Sequence, residues 1–163
     1  MEDVVKSLGY LALGTRLKRL GERLQAQTQV VLGQAEVELP AGHFPLLAAL
    51  DRLGSLSVGE LTEALGVSQP GVTRMLDKVQ AEGLVRSVQS EDDRRVRSIE
   101  LTRSGRQLVT NAKRTVWPRV ETAVADACAG PAATLLTALA ALEEALAEKP
   151  LSARTGERKH ASA

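Results

Sequence analysis

Between Ser68 and Lys78 the chain gathers side chains suited to reading a nucleic acid: Ser68, Gln69, Thr73, Arg74 and Lys78, with the small Gly71 among them. Gln and Arg carry donors that match base edges, while Ser, Thr, Lys and a helix N-terminus match phosphate oxygens. A second group, Arg94, Arg95 and Arg97, sits in and beside the polar stretch Ser90-Glu91-Asp92-Asp93-Arg94-Arg95. Guanidinium groups on such a hairpin tip suit the electronegative minor groove. Chemistry of other kinds has little material. Two histidines (His43 and His160) and one cysteine (Cys128) form no cluster with metal-ligand spacing, so no catalytic residue, metal or cofactor is expected, and no enzyme.

The elements that would hold these groups follow from local patterns. Ser57-Val58-Gly59-Glu60 matches a capping box and starts a helix over Val58–Leu65 that Gly66 ends. Ser68 is a second N-cap, with Pro70 tolerated in the first turn of a helix running to Glu82 and stopped by Gly83. In it Val72, Met75, Leu76 and Val79 recur at core spacing and leave the polar set on the opposite face. An ordinary amphipathic helix with a solvated face has the same pattern. What favours recognition is the succession of helix, tight turn, helix and basic hairpin. Leu84–Gln89 and Arg97–Leu101 read as the two strands of that hairpin.

Long helices flank this lobe. Tyr10, Leu13, Leu17, Leu20, Leu24 and Val31 make an apolar seam on one helix over residues 4–36, and part of it should meet another chain. His43–Leu53 reads as a short helix with Phe44, Leu47, Leu50 and Leu53 inward, capped by Gly54. Thr102 or Ser104 opens a further long helix striped by Leu108, Ala112, Val116, Val120, Ala123 and Ala127, which Pro118 should kink. After Gly130-Pro131, Ala132–Glu148 reads as a final helix, and a polar tail without structure is expected over 149–163. Residues 1–148 would form one domain, with the candidate binding lobe at 43–102 and flanking long helices at 4–36 and 103–148.

Composition narrows the mode of binding. Among 163 residues, 21 basic and 20 acidic groups leave a formal charge of +1, which excludes a protein that coats nucleic acid by charge alone. Aromatics are 2%, too few for a base-stacking single-strand binder. Within residues 55–102 the six cations Arg74, Lys78, Arg86, Arg94, Arg95 and Arg97 are outnumbered by eight carboxylates, giving −2. Only placement of a few cations can then make this lobe a DNA binder. Asp77 and Asp92 are the awkward carboxylates; they could pair with Arg74 and Arg94 or select against wrong sequences. No apolar run reaches the roughly 18 residues of a membrane span. The acidic opening Met1-Glu2-Asp3 lacks a signal-peptide n-region, so a cytoplasmic protein is expected.

Residues 60–74, ELTEALGVSQPGVTR, look like a bacterial helix-turn-helix. The blocks that follow are Glu82-Gly83-Leu84-Val85-Arg86, Asp93-Arg94-Arg95, Ile99-Glu100-Leu101-Thr102 and Gly105. The series resembles the winged-helix core of MarR-family transcriptional regulators, over roughly residues 5 to 148. By that resemblance Asp93 orients the Arg95 guanidinium that enters the minor groove, with Arg94 beside it. The resemblance also implies dimerisation through the flanking helices and a small-molecule effector held where those helices meet the lobe. Tyr10, His43 and Trp117 are candidates for lining such a pocket, although a structural role is the commoner fate of a residue placed like His43 or Trp117. Thr62 stands where the motif usually has a small alanine, and Cys128 lies far from the family's N-terminal redox cysteine.

The fold class expected is therefore mainly α: a winged helix-turn-helix lobe with a two-stranded wing, flanked by long dimerisation helices. The function expected is sequence-specific regulation of transcription, most simply repression, by a homodimer on double-stranded DNA. Two-fold symmetry calls for a pseudo-palindromic operator with half-sites about one turn, roughly 10 bp, apart. The alternative is a winged-helix adaptor that binds a protein through the same surface.

Overall fold

We describe, from a computed structural model, residues 1–35, 38–89, 97–128 and 132–155. They fall in two compact units, Met1–Val120 and Glu121–Ala163.

The first unit opens with α1 (Val4–Ser7), a 3-10 turn over Gly9–Ala12 and α2 (Leu13–Gln34). The single helix expected from residue 4 is thus interrupted. Gly9 takes φ +55°, a left-handed conformation that ends α1 and that a side chain would disfavour. The Asp3 carboxylate caps α1 through the Lys6 amide at 3.2 Å and takes a two-pronged bond from Arg19 at 3.1 and 2.8 Å. That guanidinium, with the Lys6 amide, holds the Asp3 carboxyl below its ordinary value. Most of the α2 seam stays open, with Leu17, Leu20, Leu24 and Val30 all exposed and Leu32 alone fully buried.

A second 3-10 turn (Ala41–His43) leads into α3 (Phe44–Leu53). Gln29 of α2 fastens this entry, accepting from the Ala41 amide at 2.7 Å and donating to the Leu39 carbonyl at 3.4 Å. Leu46 is fully buried beside Phe44, Leu47 and Leu50, whereas Leu53, expected inward, is 57% exposed. Gly54 closes α3 at φ +86°, its amide donating to Leu50.

The lobe continues with β1 (Leu56–Ser57), α4 (Val58–Leu65), α5 (Gln69–Ala81), β2 (Val85–Gln89), β3 (Arg97–Leu101) and α6 (Arg103–Arg114). The sheet has three strands in the order β1-β3-β2, where the sequence suggests two. Leu56 pairs with Ile99 and Ser57 with Ser98, so β1 closes the far edge of the hairpin whose register is Val85 to Leu101 and Gln89 to Arg97. A two-residue strand has no period to read; only its pairing with β3 makes it extended.

One core joins these elements: Phe44, Leu46, Leu47 and Leu50 from α3, Leu61 from α4, Val72, Leu76 and Val79 from α5, Val85, Ile99 and Leu101 from the sheet, and Val109 and Ala112 from α6. Burying one such aliphatic side chain contributes roughly 1.5–3 kcal/mol, so the lobe is held mainly by this Leu/Val cluster. α7 (Val116–Ala127) follows after a break at Thr115, where a continuous kinked helix was expected. Pro118 in its first turn has no N–H to bond back to Arg114, so a fresh start is the less strained solution. Trp117 packs edge-to-face on Phe44, with ring centroids 6.1 Å apart. The stripe fades beyond half-buried Val120, Ala123 and Ala127 being exposed.

The second unit contains the end of α7, α8 (Ala132–Glu148) and α9 (Leu151–Arg154). Leu135 and Leu136 of α8 are 47% and 68% exposed, and Cys128 is a half-buried free thiol. Within the tail expected to lack structure, α9 makes one turn, tied by Arg154 Nε to the Lys149 carbonyl at 2.8 Å, while residues 156–163, His160 among them, lie outside the described residues. Among the described residues no helix is long and apolar enough to cross a membrane.

Candidate nucleic-acid interface

The capping box forms as expected: the Glu60 amide donates to Ser57 Oγ at 3.2 Å and the Ser57 amide to Glu60 Oε2 at 2.7 Å. Those bonds fix where α4 begins, and the Ser57 amide, with the Ser57 hydroxyl beside it, holds the Glu60 carboxyl below its ordinary value. Thr62 is accommodated at the helix crossing because its hydroxyl bonds back to the Val58 carbonyl at 2.9 Å. Gly66, at φ +60°, turns the chain toward α5. Ser68 has N-cap backbone geometry but its hydroxyl makes no cap bond, contrary to the capping expected of it. Gly71 has a steric role, since a Cβ there would lie 2.6 Å from Val67 Cγ1. Its lack of a side chain lets the first turn of α5 close on the inter-helix turn.

Val72, Leu76 and Val79 anchor α5, with Met75 half-buried beside them. The opposite face leaves Ser68, Gln69, Thr73, Arg74, Asp77 and Lys78 exposed. Thr73 Oγ donates to the Gln69 carbonyl at 3.0 Å, leaving its lone pairs outward. Lys78 Nζ pairs with Glu82 at 2.7 Å, one turn on. Neither Arg74 nor Asp77 makes a side-chain bond among the described residues, so the Arg74–Asp77 pair considered from the sequence is not formed.

The wing stands beside α5. On it Arg86 is held by cross-strand Glu100, Nε to Oε1 at 2.6 Å, which leaves less of its charge for a partner. Arg97 is exposed at the start of β3, opposite Gln89. Asp93, Arg94 and Arg95, with Asp92, lie outside the described residues.

Two residues that position the wing are more important than their sequence signal suggested. Thr102 Oγ donates to the Gly83 carbonyl at 2.7 Å and also accepts the Gly105 amide at 3.1 Å, so one hydroxyl joins the end of the α5 loop to the start of α6. The Thr102 amide bonds the Leu84 carbonyl at 3.0 Å. At Gly105 a Cβ would stand 2.0 Å from that same Leu84 oxygen, so only glycine fits. The sequence marks both positions, but the close approach is visible only in three dimensions.

A cleft of about 500 Å3 lies between α2, the start of α3, the end of α4 and α5; Leu24, Thr28, His43, Pro45, Val67 and Met75 are among its lining. His43 Nδ1 is buried there with no hydrogen-bond partner. Burial pushes the imidazole below its ordinary value, the nearby Pro40 backbone opposes that shift, and the Lys78 cation adds to it. Of the three residues suggested for an effector pocket, His43 alone lines this cleft. Tyr10, next to the Gly9 break, is 94% exposed, and Trp117 packs on Phe44.

Comparison with known proteins agrees with this geometry. A family model described as "MarR family" matches residues 38–96. The uncharacterized HTH-type transcriptional regulator YfiV of Bacillus subtilis is 27% identical over 73 residues, 45% of this chain and 46% of that protein, so the match spans just under half of the relative. Among solved structures, the transcriptional repressor CouR bound to a 23-mer DNA duplex is 30% identical, with a TM-score of 0.70 over 83% of this chain and 96% of that one. A mutant of MarR from E. coli complexed with operator DNA shares the fold at 19% identity, with a TM-score of 0.71 over 89% of this chain and 99% of that one. Lobe, wing and relatives concur: this chain belongs to the MarR family of winged helix-turn-helix transcriptional regulators.

Proposed function

We propose that the protein is a cytoplasmic homodimeric repressor that binds a pseudo-palindromic operator and is released by a small molecule. The observation that carries the reading is the outward face of α5, polar, largely unpaired and backed by a rigid aliphatic core. Each α5 enters a major groove, with Arg74 and Gln69 reading bases and Ser68, Thr73 and Lys78 holding phosphates. Gly71 keeps the N-terminal turn close to the backbone it contacts. Each wing carries Arg94, Arg95 and Arg97 into the adjacent minor groove, Asp93 orienting Arg95. The exposed apolar residues of α2 and α8 support a dimer in which the helices of 4–36 and 103–148 pair between subunits, so that residues 1–148 act as one functional domain. The His43 cleft supports an effector site adjoining α5.

The test is a quantitative DNA-binding titration. Arg95→Ala should weaken binding to every duplex and lower the salt slope by about one, while Arg74→Ala should relax preference at one position by about 1–3 kcal/mol. Wild-type affinity and slope in both variants would refute the DNA-facing assignment. The acidic surplus of residues 55–102 favours, as the second reading, a protein-binding adaptor. Failure of the wild-type protein to enrich any duplex from a random pool would select it.

A further inference from the structure

Asp77 is at odds with a DNA-facing surface unless it has a specific partner there. The buried residues Val72, Leu76 and Val79, with half-buried Met75, fix the inward direction of α5. Advancing 100° per residue from them puts Asp77, with Pro70 and Arg74, near the centre of the opposite face. The carboxylate is exposed and bonds to nothing among the described residues. Its neighbour at i−3, Arg74, is equally unpaired, while Lys78 at i+1 is taken by Glu82. A bare carboxylate pressed toward two strands of phosphate is unfavourable, and a helix that only held the backbone would do better with a neutral residue here.

In the major groove, carboxylates find one good donor, the N4 amino group of cytosine, as arginine finds the O6 and N7 of guanine. Arg74 and Asp77 lie about 4.5 Å apart along the helix axis and about 60° apart around it, close to the spacing of neighbouring base pairs. We infer that Asp77 is a specificity-determining residue, accepting a hydrogen bond from the N4 amino group of a cytosine within one base-pair step of the guanine read by Arg74. The assignment rests on the DNA-binding reading above and adds to it a base and a position. It also gives the acidic lobe a purpose: the charge that weakens contact with any duplex is compensated only where cytosine supplies its donor.

The experiment is selection of bound duplexes from a random pool, using the full chain as wild type, Asp77→Asn and Asp77→Ala, followed by titration of the selected site and its single-base variants. The wild type should enrich a cytosine next to the Arg74-dependent guanine in each half-site, with about ten- to hundredfold loss on replacing it. Asp77→Asn keeps the shape but adds a donor, and should move that one position toward adenine. Asp77→Ala should flatten that position while binding unrelated duplex more tightly. If both variants select the wild-type site at every position, Asp77 reads no base and the inference is overturned. If the wild type enriches no site, the DNA-binding reading itself falls and takes the inference with it. Circular dichroism of both variants checks that this exposed substitution leaves the fold intact.

Discussion

Gly105→Ala is the smallest change expected to disturb the candidate interface without touching any side chain proposed to face DNA. The added methyl would begin 2.0 Å from the Leu84 carbonyl oxygen, 3.0 Å from its carbon and 3.2 Å from Leu101 Cδ2. An ordinary carbon–oxygen approach is about 3.3 Å, so α6 and the base of β2 must separate by about 1.3 Å. The obstacle is backbone and cannot rotate away. The same oxygen accepts from the Thr102 amide at 3.0 Å and from Thr102 Oγ at 3.2 Å, and the displacement carries both beyond bonding range. Overpacking costs about 1–3 kcal/mol and each lost bond about 0.5–1.5 kcal/mol; partial relaxation puts the total at about 2–4 kcal/mol. Urea denaturation at fixed protomer concentration reads this as a lower midpoint at unchanged m. Gly59→Ala is the control: it lies in α4, where an added Cβ meets only Ser57 Oγ at 3.8 Å, and should be neutral or stabilising by up to about 1 kcal/mol. A Gly105→Ala midpoint equivalent to less than about 0.5 kcal/mol of change would refute the steric account.

Three further outcomes are expected. Ser57→Ala removes the acceptor for the Glu60 amide and should lower stability by about 1 kcal/mol in the same denaturation assay. The folded state depresses the His43 pKa, so its stabilising contribution is complete above the unfolded value of about 6.5 and is lost as pH falls through the lower folded value. Urea midpoints should therefore decline below about pH 6.5, less steeply in His43→Gln. Leu136→Glu puts a charge on an exposed apolar position of α8, and sedimentation at micromolar concentration should show it monomeric and the wild type, on the proposed reading, dimeric. A monomeric wild type would sink the dimer.

Local rules made the centre of the protein legible. The capping box at Ser57 and Glu60, the turn at Gly66 and the stop at Gly83 are each decided within a few residues, and α4 and α5 begin and end where those residues put them. Errors arise where a distant partner decides. Leu46 and Leu53 are both leucines on one short helix; only the packing of α3 against α4, α6 and β3 says which is buried. Gly9 reads as one more residue in a long helix until its left-handed φ is seen. At the interface, residue types identified the polar face of α5. Which charges of the interface are already paired in the free protein is decided by side-chain geometry: Lys78 of α5 with Glu82 and Arg86 of the wing with Glu100, while Arg74 and Asp77 have no partner among the described residues.

The pairing of Leu56 with Ile99 ties the first strand of the lobe to one near its end, and the whole of α4, α5 and β2 is enclosed between those two points. A segment closed in this way cannot open from a free end. The amides of α5 should accordingly exchange with deuterium only when the sheet itself comes apart, as slowly as those of β3, whereas the first turns of α2 exchange by fraying. On the DNA-binding reading proposed above, recognition would then fall to one of the last parts of the molecule to yield, with α5 already shaped before binding and little ordering left to be done.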